Sequence, residues 1–243
     1  MFSPLAIRRY ILLCCCLAIS VVEVWGQKTC GTVDYQHQLK QQSQLESAEA
    51  FESWMSEKLL DLRLKSGTSF RSTGVKQVLT IPVVVHIIHN GESVGSGSNL
   101  HDTRVMEQID RLNEDFRRMN ADTLNAPPEF RAVAADTEIE FVLAQRDPYG
   151  LPTTGINRVI GTRPVYDLVH NTELKALSYW PAEEYMNLWV AQLNNLLGYA
   201  QFPVSTLGGL ESASENRLTD GVVIDSDFFG NNPGLTPESI GRT

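Results

Sequence analysis

Two histidines three residues apart, in His86-Ile87-Ile88-His89, form the first pattern in the chain that could hold a metal ion. They sit in a β-branched run, and residues three apart along a strand point to opposite faces. Without a bulge the two rings cannot grip one ion. The pattern therefore reads as a buried His86 and a loop-edge His89. His37, His101 and His170 are scattered without ligand-like spacing. Asp147, Asp225 and Asp227 lie near turns, where aspartate is common for conformational reasons. The sequence holds no H-E-x-x-H, C-x-x-C, G-x-S-x-G or phosphate loop, so residue type and spacing alone build no active site.

The remaining reactive group is a thiol. Three of the four cysteines, Cys14, Cys15 and Cys16, lie in the apolar stretch that follows Arg8 and Arg9. Val24-Trp25-Gly26 comes after that stretch, in the layout of a secretory signal over residues 1–26. The stretch is short for a membrane span, which needs about 20 apolar residues. Leu-Leu before Cys14 also lacks the small residue a lipid-anchored cysteine usually has. Removal of the signal leaves Cys30 as the only thiol, so no internal disulfide can form.

Composition narrows the class of partner. The 243 residues include 29 acidic and 20 basic side chains, a net charge of −9. Loss of Arg8, Arg9 and Glu23 with the signal removes a net +1 and leaves −10. No basic cluster offsets this acidity, which argues against general binding to nucleic acid or anionic membrane. An apolar content of 42% supports a packed core.

The elements fall into two textures. Residues 35–65 lack Gly and Pro and carry Leu45, Ala48, Phe51, Met55, Leu59 and Leu62 at helical steps, which predicts a helical N-terminal segment. The polar, Gly-bearing stretch 66–74 reads as an exposed linker. From Val78 the chain becomes β-rich. Strands are predicted over 78–88, 138–145, 156–160, 185–193, 198–202 and 221–224. A helix with Val105, Ile109, Leu112 and Phe116 at helical spacing and charges on the opposite face follows a loop over 90–99, with Asp102 as its N-cap. Thr236-Pro237-Glu238 reads as a further helix start.

Taken in order, these segments resemble one family. The motifs are Ile81-Pro82-Val83-Val84-Val85-His86-Ile87-Ile88, Leu112-Asn113-Glu114-Asp115-Phe116, Phe141-Val142-Leu143-Ala144, Thr154-Gly155-Ile156, Tyr185-Met186-Asn187-Leu188-Trp189-Val190, Leu197-Gly198-Tyr199-Ala200-Gln201-Phe202-Pro203, Asp220-Gly221-Val222-Val223-Ile224 and Gly241-Arg242-Thr243. Together they resemble the pappalysin/cytophagalysin (ulilysin-like) metzincin zinc metallopeptidases over residues 78–243. The resemblance implies an α+β, zincin-like fold: a mixed, twisted, roughly five-stranded sheet backed by helices and incomplete at its C-terminus. It implies three parts, a signal (1–26), a helical pro-segment with linker (27–77) and the N-terminal part of a catalytic domain (78–243).

In such relatives the Gly-Arg-Thr element precedes H-E-x-x-H-x-x-G-x-x-H, which binds zinc and polarises a water. That motif is not in these 243 residues, so the chain is expected to be a fragment that is inactive as written. Zinc is the implied cofactor, and some relatives also carry calcium. The implied partner is a protein or peptide substrate paired along an edge strand, with Leu197, Gly198, Tyr199, Ala200 and Gln201 as the binding residues. Gly198 and Ala200 would admit a peptide backbone, while Tyr199 and Phe202 would anchor the strand. Cys30 is a candidate latency ligand for the zinc, or else a stray thiol or an intermolecular disulfide partner. The alternative function is a non-catalytic secreted protein that binds peptides along the same strand.

Overall fold

The computed structural model describes residues 28–42, 48–65, 78–131, 133–201 and 217–232. The expected signal, Leu45, Phe202-Pro203 and the Thr236-Pro237-Glu238 helix start lie outside these residues. The elements that follow are numbered in chain order.

The sheet is built around β2 (Leu79–His89), whose run of Val and Ile is paired on both sides. On one flank β3 (Ile139–Leu143) meets its first half and β4 (Ile156–Ile160) its second half, both parallel. On the other flank lies β5 (Met186–Ala191), also parallel. Then come β7 (Val222–Asp225), parallel to β5, and β6 (Leu196–Ala200), antiparallel to β7. A two-residue strand, β1 (Thr29–Cys30), lies outside β6. The order is β1-β6-β7-β5-β2-β3, with β4 also on β2, so the described residues hold seven strands where roughly five were expected. Strand β1 has no counterpart in the sequence-based expectation. Two residues are too few to show a period-2 pattern.

Alternation of side chains sorts the core into two layers. Val83, Val85, Ile87, Leu188, Val190 and Ile224 pack under α3 (Asp102–Phe116) through Val105 and Ile109. Trp189, Ala191, Val223 and Tyr199 face the other way, onto Tyr166, Leu168 and Leu174. Leu168 and Leu174 belong to a 3-10 turn (Leu168–His170) running into α5 (Asn171–Ala176). Asn113 of α3 clamps β3 from both sides, giving Nδ2 to Phe141 O at 2.9 Å and taking Phe141 N at 2.7 Å. Between them lies α4 (Pro128–Arg131), a single turn in the α3–β3 connection.

Three boundaries differ from expectation. The N-cap of α3 is His101, whose side chain accepts Thr103 N at 3.2 Å; Asp102 instead pairs with Arg158. Strand β6 begins two residues before its predicted start, because Asn195 takes a positive φ of 55° and turns the chain there. Asparagine tolerates that region better than other non-glycine residues. The N-terminal segment holds two helices, α1 (Thr32–Gln42) and α2 (Ala48–Lys65). Of the predicted apolar stripe, Leu59 is 47% exposed and Met55 half-buried.

Candidate functional site

The outer side of β6 is where an extended peptide could join the sheet, and the N-terminal segment already occupies it. Thr29 stands level with Leu196 and Cys30 with Gly198, parallel to β6. Asn195 O accepts Thr29 N at 3.1 Å, and Gly198 O accepts Gly31 N at 2.9 Å. Ala200 N donates to Thr32 Oγ1 at 3.2 Å. The unpaired backbone groups that make an edge strand adhesive are thus taken up in turn. Gly31 is fitted to the crossing, for a Cβ there would lie 3.0 Å from Leu196 Cδ2.

The five predicted binding residues are brought together on β6 and just beyond it, but they divide by role. Gly198 and Ala200 bond to the N-terminal segment through their backbones, while Leu197 is half-buried. The missing side chain of Gly198 serves its neighbour β7, because a Cβ would sit 2.6 Å from Val223 O. Tyr199 is 2% exposed, and burial pushes its phenol pKa up. Gln201 is buried and accepts Tyr35 Oη at 3.0 Å through Oε1. The Cys30 thiol is exposed, 3.5 Å from Thr32 Oγ1.

Next to β1 sits an ion pair that sequence reading missed. Lys28 Nζ lies 3.0 Å from Asp225 Oδ2 and 3.9 Å from Asp227 Oδ2, and donates to Leu193 O at 3.3 Å. Asp225 is fully buried and also accepts Leu193 N at 2.6 Å and Asp227 N at 2.9 Å. Burial raises its pKa, and the Leu193 N–H and Lys28 pull the other way. Asp225 was read from sequence as a turn residue; its signal was only the final position of a strand.

His86 and His89 separate as the strand geometry requires. His86 is fully buried and stacks on Trp189, ring centroids 5.1 Å apart. Asn157 Nδ2 reaches its Nδ1 at 3.2 Å, so Nδ1 accepts and Nε2 donates to Asn187 Oδ1 at 2.9 Å. Burial holds the imidazole neutral, with its pKa lowered to about 4. His89 is half-buried, and its Nδ1 accepts Gly91 N at 3.1 Å. Among the described residues no three His, Cys, Asp or Glu side chains converge on a metal position. The residues described therefore do not fit a catalytic zinc. Among them, too, no helix is long and apolar enough to cross a membrane.

Several solved structures match this architecture. A structure of mirolysin, a metallopeptidase, in complex with a compound is 38% identical, covering 68% of this chain and 59% of that chain, with a TM-score of 0.56. Tannerella forsythia mature mirolysin in complex with a cleaved peptide is 39% identical, covering 68% and 60%, with a TM-score of 0.57. A Tannerella forsythia promirolysin mutant is 33% identical, covering 88% and 65%, with a TM-score of 0.61. The chain spans 59–65% of the length of these relatives. No family model and no curated protein matches it. The α+β, zincin-like fold expected from the sequence is the fold found, and the similarity is to metallopeptidases.

Proposed function

We propose that this chain is the N-terminal part of a secreted metzincin-type zinc endopeptidase precursor, in which residues 27–77 are the pro-segment. The observation that carries the reading is the pairing of Thr29–Cys30 with β6, along the edge where a substrate peptide would add to the sheet. A chain that fills its own peptide-binding edge is arranged for latency. Coverage by the relatives agrees. The precursor structure matches 88% of the chain and the mature ones 68%; the difference, 20% of 243 residues, is about 49 residues. Residues 27–77 number 51. The cleaved peptide held by mature mirolysin supports a peptide as the cleft's ligand.

Zinc is the implied cofactor, and the resemblance also allows calcium. Neither ion enters the argument for the described residues, which supply no such site. The role of this chain's own residues is substrate placement. With the N-terminal segment gone, Asn195 O, Gly198 O and Ala200 N would be free to bond to an extended peptide. Cys30 extends the reading: its exposed thiol, beside Gly198 on the occupied edge, would bind zinc as thiolate and displace the catalytic water.

The test is to express the whole gene product with and without residues 27–77 and to measure cleavage of an unstructured protein. The reading expects cleavage that chelator abolishes and zinc restores, and that rises when 27–77 are removed. Chelator-insensitive cleavage would overturn it. Peptide binding without cleavage would leave the non-catalytic alternative in its place. Cys30→Ala should shorten the lag before self-activation; an unchanged lag would exclude Cys30 as the latency ligand.

A further inference from the structure

Beneath β6, on the side away from α3, Tyr35 of the N-terminal segment is inserted into a mixed polar and aromatic socket. Its ring lies 5.2 Å from that of Tyr199, and Lys175 Nζ sits 5.7 Å from its centroid. Its hydroxyl is met by several side chains, Thr219 among them. Asn171 Nδ2 donates to it at 2.8 Å, and it donates to Gln201 Oε1 at 3.0 Å. A donor on one side and an acceptor on the other suit a hydroxyl, which can both accept and donate. Phenylalanine would leave both partners unpaired.

Two regular elements hold the socket. Asn171 and Lys175 are one turn apart on α5, and Tyr199 and Gln201 alternate along β6 and its extension, so each pair shares a face. Lys175 is fully buried and fixed by Thr219 O at 2.6 Å and Gly221 O at 3.3 Å. Its ammonium also lies 5.2 Å from the Trp189 centroid and 5.7 Å from that of Tyr199. Among the described residues four buried side-chain atoms lack a hydrogen-bond partner, and three of them belong here: Asn171 Oδ1, Tyr199 Oη and Gln201 Nε2. Together these atoms leave hydrogen-bonding capacity in one cluster that the packing around Tyr35 does not use.

We propose that Asn171, Lys175, Tyr199 and Gln201 form a tyrosine-recognition socket, separate from the edge pairing of β1, which takes Tyr35 and, when the N-terminal segment is gone, a free phenolic side chain. The first such ligand would be the excised segment itself, rebinding through Tyr35 after its covalent link is cut. That consequence rests on the pro-segment reading above. The socket does not, because phenol binding can be read without catalysis.

The experiment uses the 243-residue chain and its Tyr35→Gly and Tyr35→Phe variants. Lys175 acylation by an N-hydroxysuccinimide ester is followed by peptide mapping and normalised to the exposed Lys58. Opening of the socket should raise Lys175 labelling about tenfold or more in Tyr35→Gly, since a tenfold change in opening needs only one lost interaction of ordinary strength. Millimolar p-cresol should return the labelling towards wild type, and toluene should not. Equal protection by both compounds, or by neither, would overturn phenol recognition. If Tyr35→Gly does not fold, Tyr35→Phe decides. Increased labelling supports the socket, and a rate unchanged from wild type overturns it. None of these outcomes depends on peptidase activity, so failure here and failure of the proposed function can be told apart.

Discussion

Lys28 Nζ and Asp225 Oδ2 meet at 3.0 Å, joining the residue just before β1 to the last residue of β7 across 197 positions of sequence. The carboxylate is fully buried, and among the described residues Lys28 is the cation paired with it. Its removal would leave a buried charge with backbone N–H partners alone. Lys28→Met should cost about 1–3 kcal/mol near neutral pH, below the roughly 3–5 kcal/mol of a fully buried pair because Lys28 is partly exposed. The pH dependence has a definite sign. Burial already raises the Asp225 pKa, and loss of Lys28 raises it further. The folded variant then holds a proton that its unfolded chain releases, so its stability falls as pH rises above the ordinary carboxylate range. Denaturant titrations should show the variant close to wild type near pH 4 and increasingly below it towards pH 8. A gap that is constant with pH would exclude the ion pair as its cause.

The seat of β1 can be tested one amide at a time. Ala200 N has Thr32 Oγ1 as its partner, so Thr32→Ala should speed exchange of the Ala200 amide by about tenfold, the equivalent of one ordinary hydrogen bond. Amides of β5, which pair inside the sheet, should be unaffected. Gly31→Val would add atoms where even a Cβ lies 3.0 Å from Leu196 Cδ2, and should free the same edge more completely. Exchange at Ala200 that stays slow in both variants would mean that β1 does not protect β6.

His86 predicts an acid-sensitive core. The neutral ring, with Nε2 donating to Asn187 Oδ1, is held by burial well below the ordinary pKa of 6.5, at about 4. Between those values the unfolded chain binds a proton that the folded one refuses. Stability is therefore present above pH 6.5 and lost as pH falls towards 4, by an amount on the order of 3 kcal/mol. Unfolding midpoints measured across this range should fall steadily in wild type. His86→Leu should start lower, because Asn157 and Asn187 lose their partner, but its profile should lack this step. An identical slope in the variant would assign the acid sensitivity elsewhere.

How much of this could be read from sequence depends on the reach of each signal. Strands β2 and β5 were legible because apolar runs bounded by turns report their own burial. Strand β6 was legible as a segment, but its start was displaced by a left-handed Asn195 that pattern does not reveal. The residues expected to bind peptide do lie together. What covers them was invisible. The pairing of Thr29–Cys30 with Leu196–Gly198 joins segments about 167 residues apart, and no local periodicity encodes such a partner. The Tyr35 socket was hidden for another reason. Asn171, Lys175 and Gln201 are polar types that sequence reading places on the surface, and only three-dimensional packing buries them.

Lys175 provides the last prediction, because a fully buried ammonium must show itself in a titration. Burial lowers its pKa from 10.5 to about 7, with Asp220 opposing the shift. The groups around it are the carbonyls of Thr219 and Gly221 and the rings of Tyr35, Trp189 and Tyr199. Between pH 7 and 10.5 the unfolded chain keeps a proton that the folded chain gives up. Folding is therefore favoured as pH rises, and the stability withheld at and below pH 7 is recovered towards pH 10.5. Lys175→Met keeps the side-chain length without the charge and should remove that rise. Its absolute stability can move either way, since it loses two hydrogen bonds as well as a buried charge, so the slope is the discriminating quantity. Tyrosine ionisation also enters near pH 10, and the comparison belongs between pH 7 and 9, where Lys175 dominates. Unfolding free energies that rise with pH in wild type and stay level in Lys175→Met would establish the buried ammonium. Parallel profiles would mean that Lys175 is solvated, and the aromatic cage around it would then need another explanation.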